Sequence, residues 1–277
     1  MFKLYQRIKR TTKDRNECLF DAIKENKLAE VVFLIKIGAA INPVDLTTSP
    51  LQIAIIEGHE KIAKTLISKG AKINRKDSRG YYLIHKAVQG NQKEIVEILL
   101  KNGADIEAEC CFAKTPIYHA MDEANIEMIK ILLRYGAKID QPNELRHTPI
   151  EKAIFDNKKE IVEMFLKTKP NLNHPSFDSL LHKSVSDCDV EIVEMLIDYG
   201  LEIDSLNEYE ETPIYLAITK NKKNPVQTTK LLLAKGASLN ILDRWGYSPL
   251  ECALEDDNEF KLDLIKVITY HQHSLKF

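Results

Sequence analysis

The strongest constraint on this sequence is a motif of about 33 residues that returns along nearly its whole length. The clearest copy is the stretch 77–105, and its helix-opening, apolar and turn residues reappear in 115–137. A unit this short cannot bury a core alone, so repeated units must stack and bury their apolar faces against one another. The chain is therefore predicted to form one continuous repeat array.

Two landmarks fix the register of the repeat. One is a glycine in a Gly-Ala-type turn, the other is a proline that opens a helix, and each recurs at steps of 31 to 36 residues. Because the two series agree, the period does not depend on a single motif. The turn residues are Gly38, Gly70, Gly103, Gly136, Lys169, Gly200 and Gly236, and the helix-opening residues are Pro50, Leu83, Pro116, Pro149, Leu180, Pro213 and Pro249.

Each repeat contains signals for two helices. In Thr115-Pro116 the threonine hydroxyl can cap the free amides of a helix start, and the proline lacks an N–H that would need a partner there. An alanine four residues later, such as Ala120, allows neighbouring first helices to approach closely. The second helix has the form E-I-V-x-x-L-L, with apolar residues at helical spacing, and ends at the turn glycine, which adopts a left-handed conformation readily.

The T-P-L-H-x-A-like pattern and the Gly-Ala turn at this period resemble the ankyrin-repeat family over residues 15–270. The resemblance implies an all-α solenoid of about eight helix-turn-helix units with short β-hairpin fingers, and degenerate first and last repeats as caps. It gives a single domain over 1–277, with a cap and degenerate repeat at 1–44, six fuller repeats at 45–242, and the last repeat and cap at 243–277. In the family, His85 and His182 would fix the turn before the first helix.

Two departures from the pattern are notable. Lys169-Pro170 replaces the Gly-Ala turn, which indicates a stiffer turn after the fifth repeat. The segment Lys220–Pro225 lengthens the turn between the two helices of the seventh repeat by about three residues. Insertions in repeat proteins fall in surface loops and often at binding faces, so a binding loop and a merely tolerated loop both remain open.

Composition and charge exclude several classes of protein. The formal net charge of -2 gives no global basic field for nucleic acid. The sequence lacks an apolar run of the roughly 20 residues that cross a bilayer, and the basic stretch 1–15 lacks the apolar centre of a secretory signal. That stretch could contact an acidic membrane surface, but a solvated cap is the preferred interpretation.

Cysteines, histidines and enzyme motifs give no predicted chemistry. Five cysteines without framework spacing indicate free thiols in a reducing compartment. The adjacent Cys110-Cys111 pair is interpreted as turn residues rather than as a metal or redox site. Phosphate-binding, dinucleotide, zinc-protease and serine-hydrolase motifs are missing from the sequence. We therefore predict a non-enzymatic protein with no cofactor and no metal.

The predicted binding surface comes from the resemblance. In ankyrin proteins the partner usually lies against the concave side, which is formed by the finger tips and the exposed ends of the first helices. Carried over to this chain, these positions are rich in acidic and aromatic side chains, which favours a protein partner with a basic segment. The predicted binding residues are Arg79, Tyr81, Phe112, Asp122, Glu123, Glu144, Phe155, Asp156, Asp187, Glu208, Tyr209, Glu211, Arg244, Trp245 and Tyr247.

The resulting hypothesis is a monomeric, cytoplasmic scaffold for protein–protein interaction. An enzyme, or a regulatory subunit that blocks an enzyme, is the alternative from another class, and a membrane-tethering adaptor is the third. Richness in lysine, isoleucine and asparagine indicates an AT-rich genome. Small ankyrin-only proteins of this kind are similar to effectors of intracellular bacteria or to poxvirus-like host-range proteins. Without an F-box-like tail after residue 270, the bacterial version, delivered into the host cytosol, is preferred.

Overall fold

The structure is a computed structural model that describes residues 12–43, 48–170, 172, 180–221, 223–255 and 260–274. These residues form sixteen α-helices and one short 3₁₀ helix, Cys111–Ala113. Consecutive helices pack in pairs through short turns, so the prediction of eight helix-turn-helix units is confirmed. The α-helices are α1 Thr12–Lys24, α2 Leu28–Lys36, α3 Pro50–Ile56, α4 Glu60–Ser68, α5 Leu83–Gln89, α6 Lys93–Lys101, α7 Pro116–Asp122, α8 Ile126–Arg134, α9 Pro149–Phe155, α10 Lys159–Leu166, α11 Leu180–Asp187, α12 Val190–Tyr199, α13 Pro213–Thr219, α14 Pro225–Ala234, α15 Pro249–Glu255 and α16 Lys261–Ser274.

The chain groups into two compact units, Met1–His147 and Thr148–Phe277. In the N-terminal unit the first helices pack in the order α1, α3, α5, α7, and the second helices in the order α2, α4, α6, α8. The C-terminal unit has the same two layers, with α9, α11, α13, α15 in one and α10, α12, α14, α16 in the other. Each unit is thus a short all-α solenoid. That one domain spans 1–277 stays a prediction.

The recurring alanines of the first helices are buried, as the register requires. Ala120 is only 1% exposed, and its counterparts Ala54, Ala87, Ala153 and Ala217 are fully buried. A larger side chain at these positions would push the helices of adjacent repeats apart. At the C-terminal end, Leu264 and Ile268 of α16 close the last repeat, since both side chains are fully buried.

Helix capping follows the sequence at some repeats and not at others. Thr148 accepts a hydrogen bond from the Glu151 amide at 3.3 Å while the Glu151 carboxylate accepts one from the Thr148 amide at 2.8 Å, which completes a capping box. The capping role predicted for Thr115 is wrong. Its buried hydroxyl has no hydrogen-bond partner among the described residues. The Tyr118 amide instead donates to the backbone carbonyl of Thr115 at 3.1 Å.

The turn that ends each second helix requires a left-handed residue. Gly103 and Gly136 have φ values of 86° and 87°, which cost glycine little. Lys169 holds the same position with a φ of 57°. The backbone conformation is therefore kept where the sequence loses the glycine, at a cost in strain.

The fingers between repeats are turns fixed by side chains. The Asp77 carboxylate accepts hydrogen bonds from the Arg79 and Tyr81 amides, both at 2.9 Å. Asn143, Asn207 and Asp243 accept equivalent pairs of bonds in their own fingers. In the described part of the chain the expected β-pairing is reduced to one isolated bridge, which joins residues 76 and 82.

In the longer turn of the seventh repeat, Asn221 makes several hydrogen bonds. Asn221 is buried, and its amide donates to the Val185 carbonyl at 2.7 Å and to the Thr228 hydroxyl at 3.1 Å. Its oxygen accepts from the amides of Lys223 and Asn224. The segment Lys220–Pro225 thus has a structural role in joining neighbouring helices of the C-terminal unit.

Candidate interaction surfaces and a buried cluster

The two histidines of the T-P-L-H-like positions tie the first helix of one repeat to the finger of the next. Nδ1 of His85 accepts a hydrogen bond from the Tyr82 amide at 3.2 Å, and its Nε2 lies 3.2 Å from the Lys114 carbonyl oxygen. His182 makes the same link to the Glu211 carbonyl at 2.9 Å. Burial, followed by the nearby His119, lowers the pKa of His85 to about 4. Both rings are therefore structural, as the resemblance implied.

In the N-terminal unit some predicted binding residues are exposed, and others already contact side chains of the same unit. The Phe112 side chain is 65% exposed, and the backbone of this residue is left-handed, with a φ of 62°. Tyr81 is half-buried, with the Lys86 ammonium 4.2 Å from its ring centroid. The Asp122 carboxylate already pairs with Lys114 at 2.8 Å. The remaining predicted residues of this unit, Arg79, Glu123 and Glu144, are exposed.

The C-terminal unit places a compact aromatic group on two adjacent fingers, and we call Tyr209, Arg244, Trp245 and Tyr247 the aromatic tip cluster. The Arg244 guanidinium lies 5.1 Å from the ring centroid of Tyr209 and 5.8 Å from that of Trp245. It also donates to the Glu208 carbonyl at 2.6 Å. Tyr209, Trp245 and Tyr247 remain 42%, 61% and 43% exposed. Cation–π stacking thus joins Tyr209, Arg244 and Trp245, while the rings of the cluster still face solvent.

One carboxylate of the predicted acidic surface is buried and bonded within the protein. The Glu211 side chain is buried, and both of its oxygens lie 2.9 Å from the Lys220 ammonium. Asn207 donates a further bond to it at 2.8 Å. The expectation that the Glu211 carboxylate faces a groove is therefore corrected, because the lysine of the longer turn folds back onto it.

The other predicted acidic residues of the C-terminal unit differ in their contacts and exposure. Asp156 pairs with Lys152 one helical turn away at 2.7 Å, and the neighbouring Phe155 ring lies 5.8 Å from the Lys183 ammonium. Asp187 and Glu208 are exposed at the ends of their elements.

Sequence reasoning missed one buried cluster in the N-terminal unit. The Cys110 thiol lies 3.1 Å from Nε2 of His119, and both side chains are at least nine-tenths buried. A donor atom of His85 is within 4.8 Å of both. The only sequence signal is a histidine nine positions after a cysteine, which matches none of the usual metal spacings.

Comparison with known proteins decides the family. A profile for ankyrin repeats in three copies matches residues 83–178 and 181–273, and one for ankyrin repeats in many copies matches residues 51–100. Together the matches cover well over half of the chain. The chain belongs to the ankyrin-repeat family. Ankyrin repeats are protein-interaction modules, so membership makes the protein an interaction scaffold in general terms.

Three curated relatives are viral ankyrin repeat proteins. R664 of Acanthamoeba polyphaga mimivirus is 34% identical over 76 residues, which is 27% of this chain and 46% of that protein. FPV231 of fowlpox virus is 46% identical over 54 residues, which is 20% of this chain and 20% of that protein. FPV219 of the same virus is 36% identical over 67 residues, which is 24% of this chain and 15% of that protein. The chain thus spans less than half the length of each of these relatives. In the described residues, no helix is long and apolar enough to cross a membrane.

Proposed function

We propose that this ankyrin-repeat protein is a non-enzymatic scaffold that binds a protein partner with a basic segment, chiefly through the aromatic tip cluster. The observation that carries the proposal is the exposure of Tyr209, Trp245 and Tyr247 on two adjacent fingers. Aromatic and arginine side chains in one patch are the composition of energetic anchors at protein interfaces.

The fingers that hold the cluster are preorganised. Asn207 accepts bonds from the Tyr209 and Glu211 amides, and Asp243 accepts bonds from the Trp245 and Tyr247 amides, all at 2.9–3.0 Å. These hydrogen bonds between a side-chain oxygen and backbone amides hold the finger tips in place before a partner binds. Less ordering entropy is then lost on binding, which raises affinity at a given contact area.

Two features favour a basic partner. The ring of Tyr209 already attracts two cations of its own chain, the Arg244 guanidinium at 5.1 Å and the Lys220 ammonium at 5.8 Å from its centroid. Aromatic faces that bind these groups suit lysine or arginine side chains of a partner equally well. The exposed carboxylates of Asp187 and Glu208 add a complementary charge in the same unit.

The N-terminal unit supplies a second candidate surface, in which Phe112 is the most exposed aromatic residue. Arg79, Glu123 and Glu144 are exposed in this unit as well. We assign these residues a supporting role in binding. The paired side chain of Asp122 and the half-buried Tyr81 are better placed to stabilise the fingers than to contact a partner.

The free cysteines and the source of the relatives bear on the cellular setting. Five reduced cysteines fit a cytoplasmic protein, and we propose a monomer that acts in the cytosol of a host cell. The three relatives named above are viral, which supports a host-directed role in its viral rather than its bacterial form.

Affinity capture from eukaryotic cell lysate tests the proposal. A Trp245→Ala, Tyr247→Ala variant should lose a partner that the wild-type chain retains, since truncating interface anchors commonly costs about 2 kcal/mol or more. Tyr270→Ala is the matched control, because Tyr270 is 79% exposed on α16, outside the fingers. Retention of the partner by the folded double variant would show that the aromatic tip cluster is not the binding surface.

A further inference from the structure

The N-terminal unit contains a group of soft donor atoms that the proposed binding surface does not use. Cys110 Sγ and His119 Nε2 lie 3.1 Å apart and are shielded from solvent. Together with His85 they form the one group of three potential ligands among the described residues in which all donor atoms lie within 4.8 Å of one another. A thiol and an imidazole in contact form the donor pair that zinc and other thiophilic ions prefer.

Hydrogen bonding removes His85 from the ligand set. Its Nδ1 accepts the Tyr82 N–H, so in the neutral ring the proton is on Nε2, where it is directed at the Lys114 carbonyl. That tautomer has no lone pair left for a metal ion. His182 uses Nε2 in the same way against the Glu211 carbonyl, which identifies the arrangement as structural. His85 therefore forms a wall of the cluster.

His119 has a different environment. Its Nδ1 lies 3.3 Å from the side-chain amide nitrogen of Gln89, while its Nε2 faces Cys110. Unlike the backbone groups that fix the tautomer of His85, this side-chain amide can turn over, so that its oxygen accepts the Nδ1 proton and the lone pair of Nε2 points at the thiol. A histidine that donates one N–H to an oxygen and offers the other nitrogen is the usual arrangement of a metal-binding imidazole.

A small outward movement of the two atoms makes room for an ion between them. With zinc–sulfur and zinc–nitrogen bonds of about 2.3 and 2.05 Å at a tetrahedral angle, sulfur and nitrogen are about 3.6 Å apart. The observed 3.1 Å separation of Cys110 Sγ and His119 Nε2 is about 0.5 Å shorter, so the two side chains have to move apart by about that amount to admit the ion. Burial raises the pKa of the Cys110 thiol to about 11, so without an ion the pair is a neutral contact rather than an activated nucleophile.

A second thiol is covalently adjacent. Cys111 is exposed, and its thiol donates to the Tyr81 hydroxyl at 3.1 Å. That hydroxyl interaction is weak and is easily exchanged for a metal–sulfur bond. Recruiting Cys111 would give two sulfur ligands and one imidazole, with water in the fourth position.

We propose that Cys110, Cys111 and His119 bind one Zn²⁺ ion. The two thiols lose their protons to solvent on binding, and His119 coordinates as a neutral imidazole. Since Cys110 and Cys111 belong to the finger and His119 to α7, the ion links the finger to its helix and fixes the exposed Phe112 tip between them.

Cobalt and zinc titrations of the reduced full chain test this proposal. We expect one equivalent of Co²⁺ to give a thiolate-to-cobalt charge-transfer band that Zn²⁺ abolishes. Cys110→Ser and His119→Gln should each weaken binding by more than about tenfold, and Gln89→Leu by about tenfold. Cys188→Ser is the matched control: Cys188 is also buried, burial also raises its thiol pKa to about 11, and its thiol donates to the Ile154 carbonyl.

A second measurement on the wild-type chain avoids variants that fail to fold. Alkylation followed by peptide mass spectrometry should show that Zn²⁺ slows modification of Cys111 by about tenfold or more, because a metal-bound thiolate is a poorer nucleophile. The partly exposed Cys252 should react at an unchanged rate. Equal alkylation with and without zinc, or a cobalt band that persists in Cys110→Ser, would overturn the proposal.

Discussion

Replacing Lys169 by glycine should stabilise the C-terminal unit. Lys169 has a φ of 57°, and the left-handed conformation costs a residue with a side chain roughly 1–2 kcal/mol. Glycine avoids this strain but loses about 0.5–1 kcal/mol through the greater freedom of the unfolded chain. The balance predicts a gain of about 0.5–1 kcal/mol in the free energy of unfolding.

Lys167→Gly is the matched control for that substitution. Lys167 is the C-cap residue directly after α10, with a φ of -63°, an ordinary right-handed conformation, so glycine there should lower stability by about 0.5–1 kcal/mol. Loss of its exposed ion pair with Glu163 acts in the same direction. The same lysine-to-glycine change, two residues apart, is thus expected to have opposite signs.

Urea unfolding distinguishes the two variants. Trp245 is the single tryptophan of the chain and lies in the C-terminal unit, so its fluorescence reports on that unit, with circular dichroism as a second probe. The midpoint should rise for Lys169→Gly and fall for Lys167→Gly. A lower midpoint for Lys169→Gly, or equal shifts for the two variants, would refute the argument from backbone strain.

Two further predictions concern the core and pH. Ala120→Leu should overpack the contact between first helices and lower the free energy of unfolding by roughly 1–3 kcal/mol; an unchanged melting temperature would contradict the register. The folded pKa of His85, about 4, is below its ordinary 6.5, so the unfolded chain binds the proton first as the pH falls. The contribution of His85 is therefore complete above pH 6.5 and declines towards pH 4 by about 3 kcal/mol. His85→Asn should flatten the dependence of stability on pH over this window, and an unchanged slope would refute it.

The repeat register was predictable because every unit repeats the same local physics. A turn glycine, a helix-opening proline and a buried alanine recur together. A repeat that lacks one of these residues is therefore still placed by the others and by the neighbouring repeats. Even Lys169 obeys the register, since its backbone adopts the conformation of the glycine it replaces. Local propensity and packing thus agree in the described repeats of both units.

The site was less predictable because it depends on how side chains turn back within a repeat. Glu211 looks like an exposed finger residue in the sequence, yet Lys220, nine positions later in the longer turn, folds over it. Cys110 and His119 meet in the same way, because the finger returns onto its own helix. Contacts of this kind follow from the path of the loop and not from the helical or repeat period.

The most direct test of the account is hydrogen exchange of the chain with and without its captured partner. The aromatic tip cluster predicts slower exchange of the amides in residues 207–211 and 243–247 in the complex, because these finger backbones become shielded from water. The second helices α12 and α14 of the same unit should exchange at unchanged rates. Protection confined to those second helices, with the two fingers unaffected, would contradict the claim that the fingers bind the partner.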